Sequence, residues 1–147
     1  MRDRQELLRI TGAIVDSALT IHREVGPGLL EVIYERLLMM LLRRRGFRVR
    51  RQVRVSLEYD GVDFGRGFRL DLLVEDSVVV DVKSVARLDP VSAQQVLTYL
   101  RLLDLPVGLL INFGAPTLKA GLRRISNDQE PLQRRTIILT SRIEAES

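Results

Sequence analysis

A chain of 147 residues, 46% hydrophobic and 29% charged, is long enough for one packed core and too apolar for general disorder. The absence of cysteine excludes thiol nucleophiles, disulfides and thiolate zinc sites and fits a reducing compartment. No apolar run approaches the ~20 residues that span a bilayer, and Met1 to Glu6 is too charged for a secretory leader, so the expectations are no membrane contact and a cytoplasmic location.

The net charge of +4 is a mild bias toward polyanions. Arg43, Arg44, Arg45, Arg48, Arg50, Arg51 and Arg54 crowd one stretch, and Arg123, Arg124, Arg134 and Arg135 another. A solvated helix end and an exposed strand face account for them as well as an anion-binding surface does. Lysine occurs only at Lys83 and Lys119.

Apolar residues recur at helical spacing from Gln5 to Glu24, which predicts a first amphipathic helix stopped by Gly26-Pro27-Gly28. His22, the only histidine, falls on its last turn, where local packing or the helix dipole explains it without catalysis. Leu29 to Leu42 predicts a second helix ending near Arg45-Gly46. Glu31 lies in its first turn, about where a capping-box acid would sit; capping and a site role both stay open on the residues alone.

Alternation from Phe47 to Glu58 predicts a half-exposed strand with Phe47, Val49, Val53, Val55 and Leu57 near one face. Tyr59-Asp60-Gly61 turns the chain back through Gly65 and Gly67 into a strand from Phe68 to Val74, and Glu75-Asp76-Ser77 turns it again into Val78 to Lys83. The result is an antiparallel meander. A helix over Val91 to Leu103, with Gln95 and Tyr99 on one face, then leads to a continuous apolar strand from Pro106 to Asn112. That strand is expected parallel to Val78–Lys83 through a right-handed crossover. Turn chemistry explains Asn112. A short helical segment around Thr117 to Leu122, a last strand from Arg135 to Thr140 and a polar tail over 141–147 complete the expectation of one domain spanning 1–140.

Charge inside the apolar strands is the feature that local propensity does not explain. Aspartate is depleted in strands, and an ionised carboxylate in a dry strand is costly unless a cation or hydrogen bonds meet it. Asp81 and Lys83 are two apart and project from one face, Val80 and Val82 from the other, while Asp71 lies in the preceding run between Leu70 and Leu72. Pairing of the runs brings two carboxylates and one ammonium together, a set that suits a divalent metal acting on a phosphodiester. A buried ion pair with no further role is the alternative, although such pairs stabilise poorly.

Asp71 followed by Asp81-Val82-Lys83 resembles the signature of the PD-(D/E)XK nuclease superfamily. Gly28-Leu-Leu-Glu31-Val-Ile-Tyr34 resembles the motif of its GxxExxY branch, and Gln95-Val-Leu-Thr-Tyr99 resembles the QxxxY helix of exonuclease-like members. With Leu109 to Gly114, the similarity spans Ile10 to Ile125. It implies an α/β restriction-endonuclease-like core, a mixed central sheet flanked by helices. It also implies a Mg²⁺- or Mn²⁺-dependent nuclease acting on DNA ahead of RNA. Asp71, Asp81 and the Val82 carbonyl are implied as metal ligands, with Glu31 reaching the ion directly or through water. Lys83 is implied to orient or deprotonate the attacking water or to neutralise charge on phosphorus, and Gln95 and Tyr99 to hydrogen-bond Lys83, a carboxylate or the phosphate. Asp81 stands where the family more often has Glu, a side chain one methylene longer. The Arg-rich stretches would engage nucleic-acid phosphates, and a homodimer would let a small nuclease address two strands. A nuclease fold that binds nucleic acid or a partner without catalysis is the competing expectation.

Overall fold

The computed structural model describes residues 2–128 and 139–144. Helix α1 (Arg4–Val25) starts on Asp3, whose carboxylate accepts from the Glu6 amide, and stops at Gly26, where the backbone turns to a φ of 74°. Helix α2 (Glu31–Arg44) lies against it. Strands β1 (Val49–Tyr59), β2 (Val62–Val74) and β3 (Val78–Lys83) follow as the expected antiparallel meander. Helix α3 (Val91–Leu103) then carries the chain to β4 (Val107–Asn112), parallel to β3.

A one-turn helix α4 (Leu118–Gly121) leads directly into β5 (Leu122–Ser126), antiparallel to β4. Sequence periodicity did not find β5, because its five residues LRRIS carry two exposed arginines and only two half-buried apolar side chains. The final strand β6 (Leu139–Ile143) pairs with β1, so residues 141–143, expected in a polar tail, belong to the sheet. Residues 135–138 of the expected last strand lie outside the described residues. The mixed sheet has the order β5-β4-β3-β2-β1-β6.

Two cores form, one on each side of the sheet. Ile10, Ile14, Tyr34, Leu38, Leu42, Val80 and Ile111 represent the one under α1 and α2; Val53, Val55, Leu70, Leu73, Val79, Val96 and Leu100 make the one under α3. This division corrects the expectation for β1. Phe47 and Val49 pack under α1 and α2, whereas Val53 and Val55 pack under α3, although all four are separated by even numbers of residues.

A strict two-residue period cannot do this. The period is broken at Gln52, a non-glycine residue with a left-handed φ of 55°. Its side chain donates to both oxygens of Glu35, at 2.8 and 3.0 Å, while Arg51 donates to the same carboxylate at 2.9 Å. Glu35 is 4% exposed, and these bonds supply the partners that a buried carboxylate requires. Arg51 faces Leu72 and Val53 faces Leu70, so Gln52 falls opposite Asp71. The sheet exchanges its faces at that rung.

The Arg-rich stretch serves this framework. Arg43 donates to the Val49 carbonyl, Arg45 pairs with Asp16, and Arg48 bonds Glu75. Arg50 approaches Asp76 at 3.7 Å, and Arg51 binds Glu35. Arg124 donates to Thr11, and Arg123 to the carbonyls of Ala120 and Leu122, while Arg134 and Arg135 lie outside the described residues. No described helix is long and apolar enough to cross a membrane. Removing the brace at the face exchange has a measurable cost: Glu35→Ala should lower the urea-unfolding free energy by about 2–4 kcal/mol, since it leaves Arg51 and Gln52 unpaired beside a buried position.

Candidate active site

Backbone pairing between β2 and β3 runs from Val74–Val78 only to Leu72–Val80. Beyond that rung the strands part, and the Asp71 carboxylate accepts the Val82 N–H at 2.8 Å. A side chain thus replaces a strand at the point of divergence. β3 stays in register with β4 through Lys83–Asn112, and β2 with β1, so the β1–β2 pair parts from the β3–β4 pair.

The opening is a narrow cleft of about 90 Å³ lined by Arg69, Asp71, Asp81, Lys83, Gln95 and Tyr99 among others. Asp81 and Lys83 share a face, as their spacing predicts, and the Lys83 ammonium donates to Asp81 Oδ1 at 3.0 Å. The Tyr99 ring stacks on Phe68, with centroids 4.2 Å apart and planes within 3°, which fixes the phenol over the cleft. Gln95, one turn earlier on α3, is exposed at its rim.

Burial sets the protonation of this cluster. It pushes the Asp71 carboxyl up to about 7, helped by the hydrogen bond to Asp81 and the Asp81 charge and opposed by the Val82 N–H. Burial alone would lower Lys83, but the hydrogen bond and charge of Asp81, with Asp71 and Glu31 adding, hold its ammonium above the usual lysine value. Tyr99 is raised, first by burial and then by the Asp81 charge, so near neutral pH its hydroxyl is a donor.

Glu31 occupies a different position. It opens α2 behind Leu30, with no side chain capping the helix, so the capping-box reading does not apply. Its carboxylate accepts from the Ser84 N–H at 3.4 Å, one residue past Lys83, and it borders a wider groove of about 700 Å³ lined also by Gly28, Leu30, Ser84 and Val85. Among the described residues no three histidine, aspartate or glutamate side chains converge closely enough to hold a metal ion. The pair Asp71–Asp81 is therefore the convergent acidic set, and Glu31 borders the wider groove rather than this cleft.

The spacing of Gly28, Glu31 and Tyr34 has a mechanical basis. Gly28 has a φ of 115°, which a side chain would strain. The fully buried Tyr34 donates its hydroxyl to the Gly26 carbonyl at 2.5 Å and accepts from the Leu29 N–H at 3.1 Å, while its ring stacks on Phe113. Ser84 Oγ donates to the Leu29 carbonyl at 2.5 Å. The loop before Glu31 is thereby tied to the core on one side and to the end of β3 on the other.

Asn112 continues the β3–β4 ladder with its side chain. Its amide exchanges two hydrogen bonds with the Val85 backbone, at 3.0 and 2.9 Å, and accepts a third from Gly114. A Cβ on Gly114 would come within 2.3 Å of the Val85 carbonyl oxygen, so the two strand ends cross closely here. His22 Nε2 donates to the Ala115 carbonyl at 2.8 Å. Both residues bond backbone distant in sequence, and the turn chemistry expected of Asn112 accounts only for its bond from Gly114. Glu35 escaped the sequence reading. Its signal was present, because it lies three and seven residues before the buried Leu38 and Leu42 and so places a carboxylate on the apolar stripe of α2.

The raised Asp71 value has a definite sign in stability. The native state keeps a proton that the unfolded chain releases near 3.8, so this contribution is complete below that value and is lost as pH rises to about 7. In chelator, the melting temperature of the wild type should therefore fall relative to Asp71→Asn between pH 4 and pH 8. Parallel profiles for the two proteins would show that Asp71 ionises normally.

A family model for the PD-(D/E)XK nuclease superfamily matches residues 8–125. Comparison with curated proteins and with solved structures returned no match. The matched segment covers most of the chain and contains α2, α3, the meander and β4. It includes the rung at which β2 and β3 part, with the charged side chains that line the gap. The chain belongs to the PD-(D/E)XK nuclease superfamily.

Proposed function

We propose that the chain is a metal-dependent nuclease that hydrolyses phosphodiester bonds of nucleic acid, DNA ahead of RNA. The observation that carries this reading is the cleft between β2 and β3, with Asp71, Asp81 and Lys83 on its walls. Its donor set fits a hard divalent cation, Mg²⁺ or Mn²⁺. Two carboxylates near enough to share a hydrogen bond repel each other when ionised, and oxygen donors with positions left for water and phosphate are what these ions take. Superfamily membership supports a divalent cofactor in general, and the Gly28, Glu31 and Tyr34 spacing supports the GxxExxY branch.

Asp71 and Asp81 would hold the ion, with the Val82 carbonyl as a third ligand and Glu31 acting from the wider groove through water. The ion would supply Lewis acidity and a more acidic bound water. The remaining tasks fall to the chain. Lys83, anchored to Asp81 but open to the cleft, would orient the attacking water and offset charge on the phosphorus. Tyr99, held protonated, would donate to a phosphate oxygen, and Gln95 would bind from the rim. The short side chain of Asp81 is accommodated if Asp71, already turned toward β3 by the Val82 N–H, draws the ion toward the strand.

One observation favours the competing reading of a catalytically silent binding module. Glu31 is engaged by Ser84 and stands apart from the acidic pair. The two readings separate in a cleavage assay on single- and double-stranded DNA and RNA. With Mn²⁺ or Mg²⁺ the wild type should cut at least one substrate, and Asp71→Ala and Lys83→Ala should each slow it about a hundredfold or more. The same ions should raise the melting temperature of the wild type but not of Asp71→Ala. Salt-sensitive binding without cleavage would favour the silent module, and cleavage that survives in both variants would move the chemistry elsewhere.

A further inference from the structure

The paired shaft of the β1–β2 hairpin has one face under α3 and one face bare. Val53 and Val55 on β1, and Phe68 and Leu70 on β2, turn toward α3. Arg54 and Arg69 lie between those pairs, so they project from the opposite face, and they are direct cross-strand partners. Both are exposed, and Arg66, opposite Ser56, is exposed beyond them. Like charges directly opposite each other destabilise a strand pair. Arg43, Arg45, Arg48, Arg50 and Arg51 are all engaged within the chain, whereas Arg54, Arg66 and Arg69 make no side-chain hydrogen bond or ion pair to a described residue. Arg69 also lines the cleft that holds Asp71 and Asp81.

We infer that this bare hairpin face is a phosphate track, on which Arg54 and Arg69, with Arg66 beyond them, hold the backbone of a nucleic acid whose adjacent phosphodiester enters the cleft. The inference rests on the proposed nuclease reading for the identity of its ligand. Charge complementarity selects the occupant: two guanidinium groups held side by side favour an anion between them, and successive phosphates along a strand supply one at each step. The track is confined to the shaft, because Glu58 and Asp63 oppose each other at the hairpin tip and would repel the same backbone. The contacts are to phosphate, so they position the strand and do not read its bases.

The test is binding of short fluorescent DNA, duplex and single-stranded, with divalent ions chelated so that binding is measured without cleavage. Arg54→Ala with Arg69→Ala should weaken binding at least about tenfold and lower the log–log salt slope by about two. The control pair Arg4→Ala with Lys119→Ala removes the same net charge from exposed positions on α1 and α4 and should bind as the wild type does. Arg54→Glu adds a readout that misfolding cannot mimic. Placed opposite Arg69, the new carboxylate should raise the melting temperature while binding falls.

A wild type that binds DNA and keeps its affinity in the double variant overturns the inference and leaves the proposed hydrolysis intact. So does Arg54→Glu melting no lower than the wild type yet binding as tightly. A wild type that binds through Arg54 and Arg69 but cuts nothing with Mn²⁺ or Mg²⁺ overturns the hydrolysis and leaves the track standing. A wild type that binds no DNA overturns the track.

Discussion

The left-handed backbone at Gln52, held by the buried Glu35 carboxylate, is the constraint on which the arrangement of the sheet depends. Without it, β1 would keep one set of side chains on one side throughout. With it, the first half of the strand seals the core under α1 and α2 and the second half seals the core under α3. A polar side chain in α2 thus sets which apolar residues of β1 each helix layer receives. Left-handed non-glycine residues carry a conformational cost, and here three charged or amide hydrogen bonds offset it.

Asp71 lies on the rung opposite this exchange, and the consequences meet there. The ladder between β2 and β3 ends one residue away, and the amide that β2 no longer serves is taken by the Asp71 carboxylate. The opening of the cleft and the placement of its first acid are therefore the same event. The opposite strand end is stiffened independently, by Asn112 spanning to Val85 and by Ser84 bonded to the loop before α2. Asp81 and Lys83 consequently sit on a rigid strand, and Tyr99 reaches them from a helix whose position is fixed by ring stacking on β2.

Much of this was readable from the residues. The helices, the meander, the parallel β3–β4 pair and the shared face of Asp81 and Lys83 all follow from periodicities that the final packing obeys. What escaped lies where a local rule yields to a distant partner. Alternation placed Val49 and Val53 on one face because nothing in the neighbouring residues announces a left-handed Gln52; its cause is Glu35, seventeen positions earlier. Strand β5 is stabilised by pairing with β4 and carries almost no apolar pattern of its own. The first-turn place of Glu31 left capping and a site role both open, and its partner is the amide of Ser84, fifty-three residues away. The Arg-rich run looked uniform in composition and divides in space between residues that stitch the fold and residues that remain available.

The pairing of β6 with β1 bears on how the molecule assembles. The Ser56 side chain and the Arg142 carbonyl that it bonds are 86 residues apart, so this rung closes only when a segment distant in sequence reaches β1. Until then the outer edge of β1 from Val55 to Tyr59 presents unpaired backbone to its surroundings, the kind of edge that recruits strands from other chains. Contacts of such long separation slow folding, and the interval is one in which the nascent hairpin is exposed. The arginine at position 54, with the acidic Glu58 further along the same strand, places charge beside that edge, where it discourages association while the last strand is awaited.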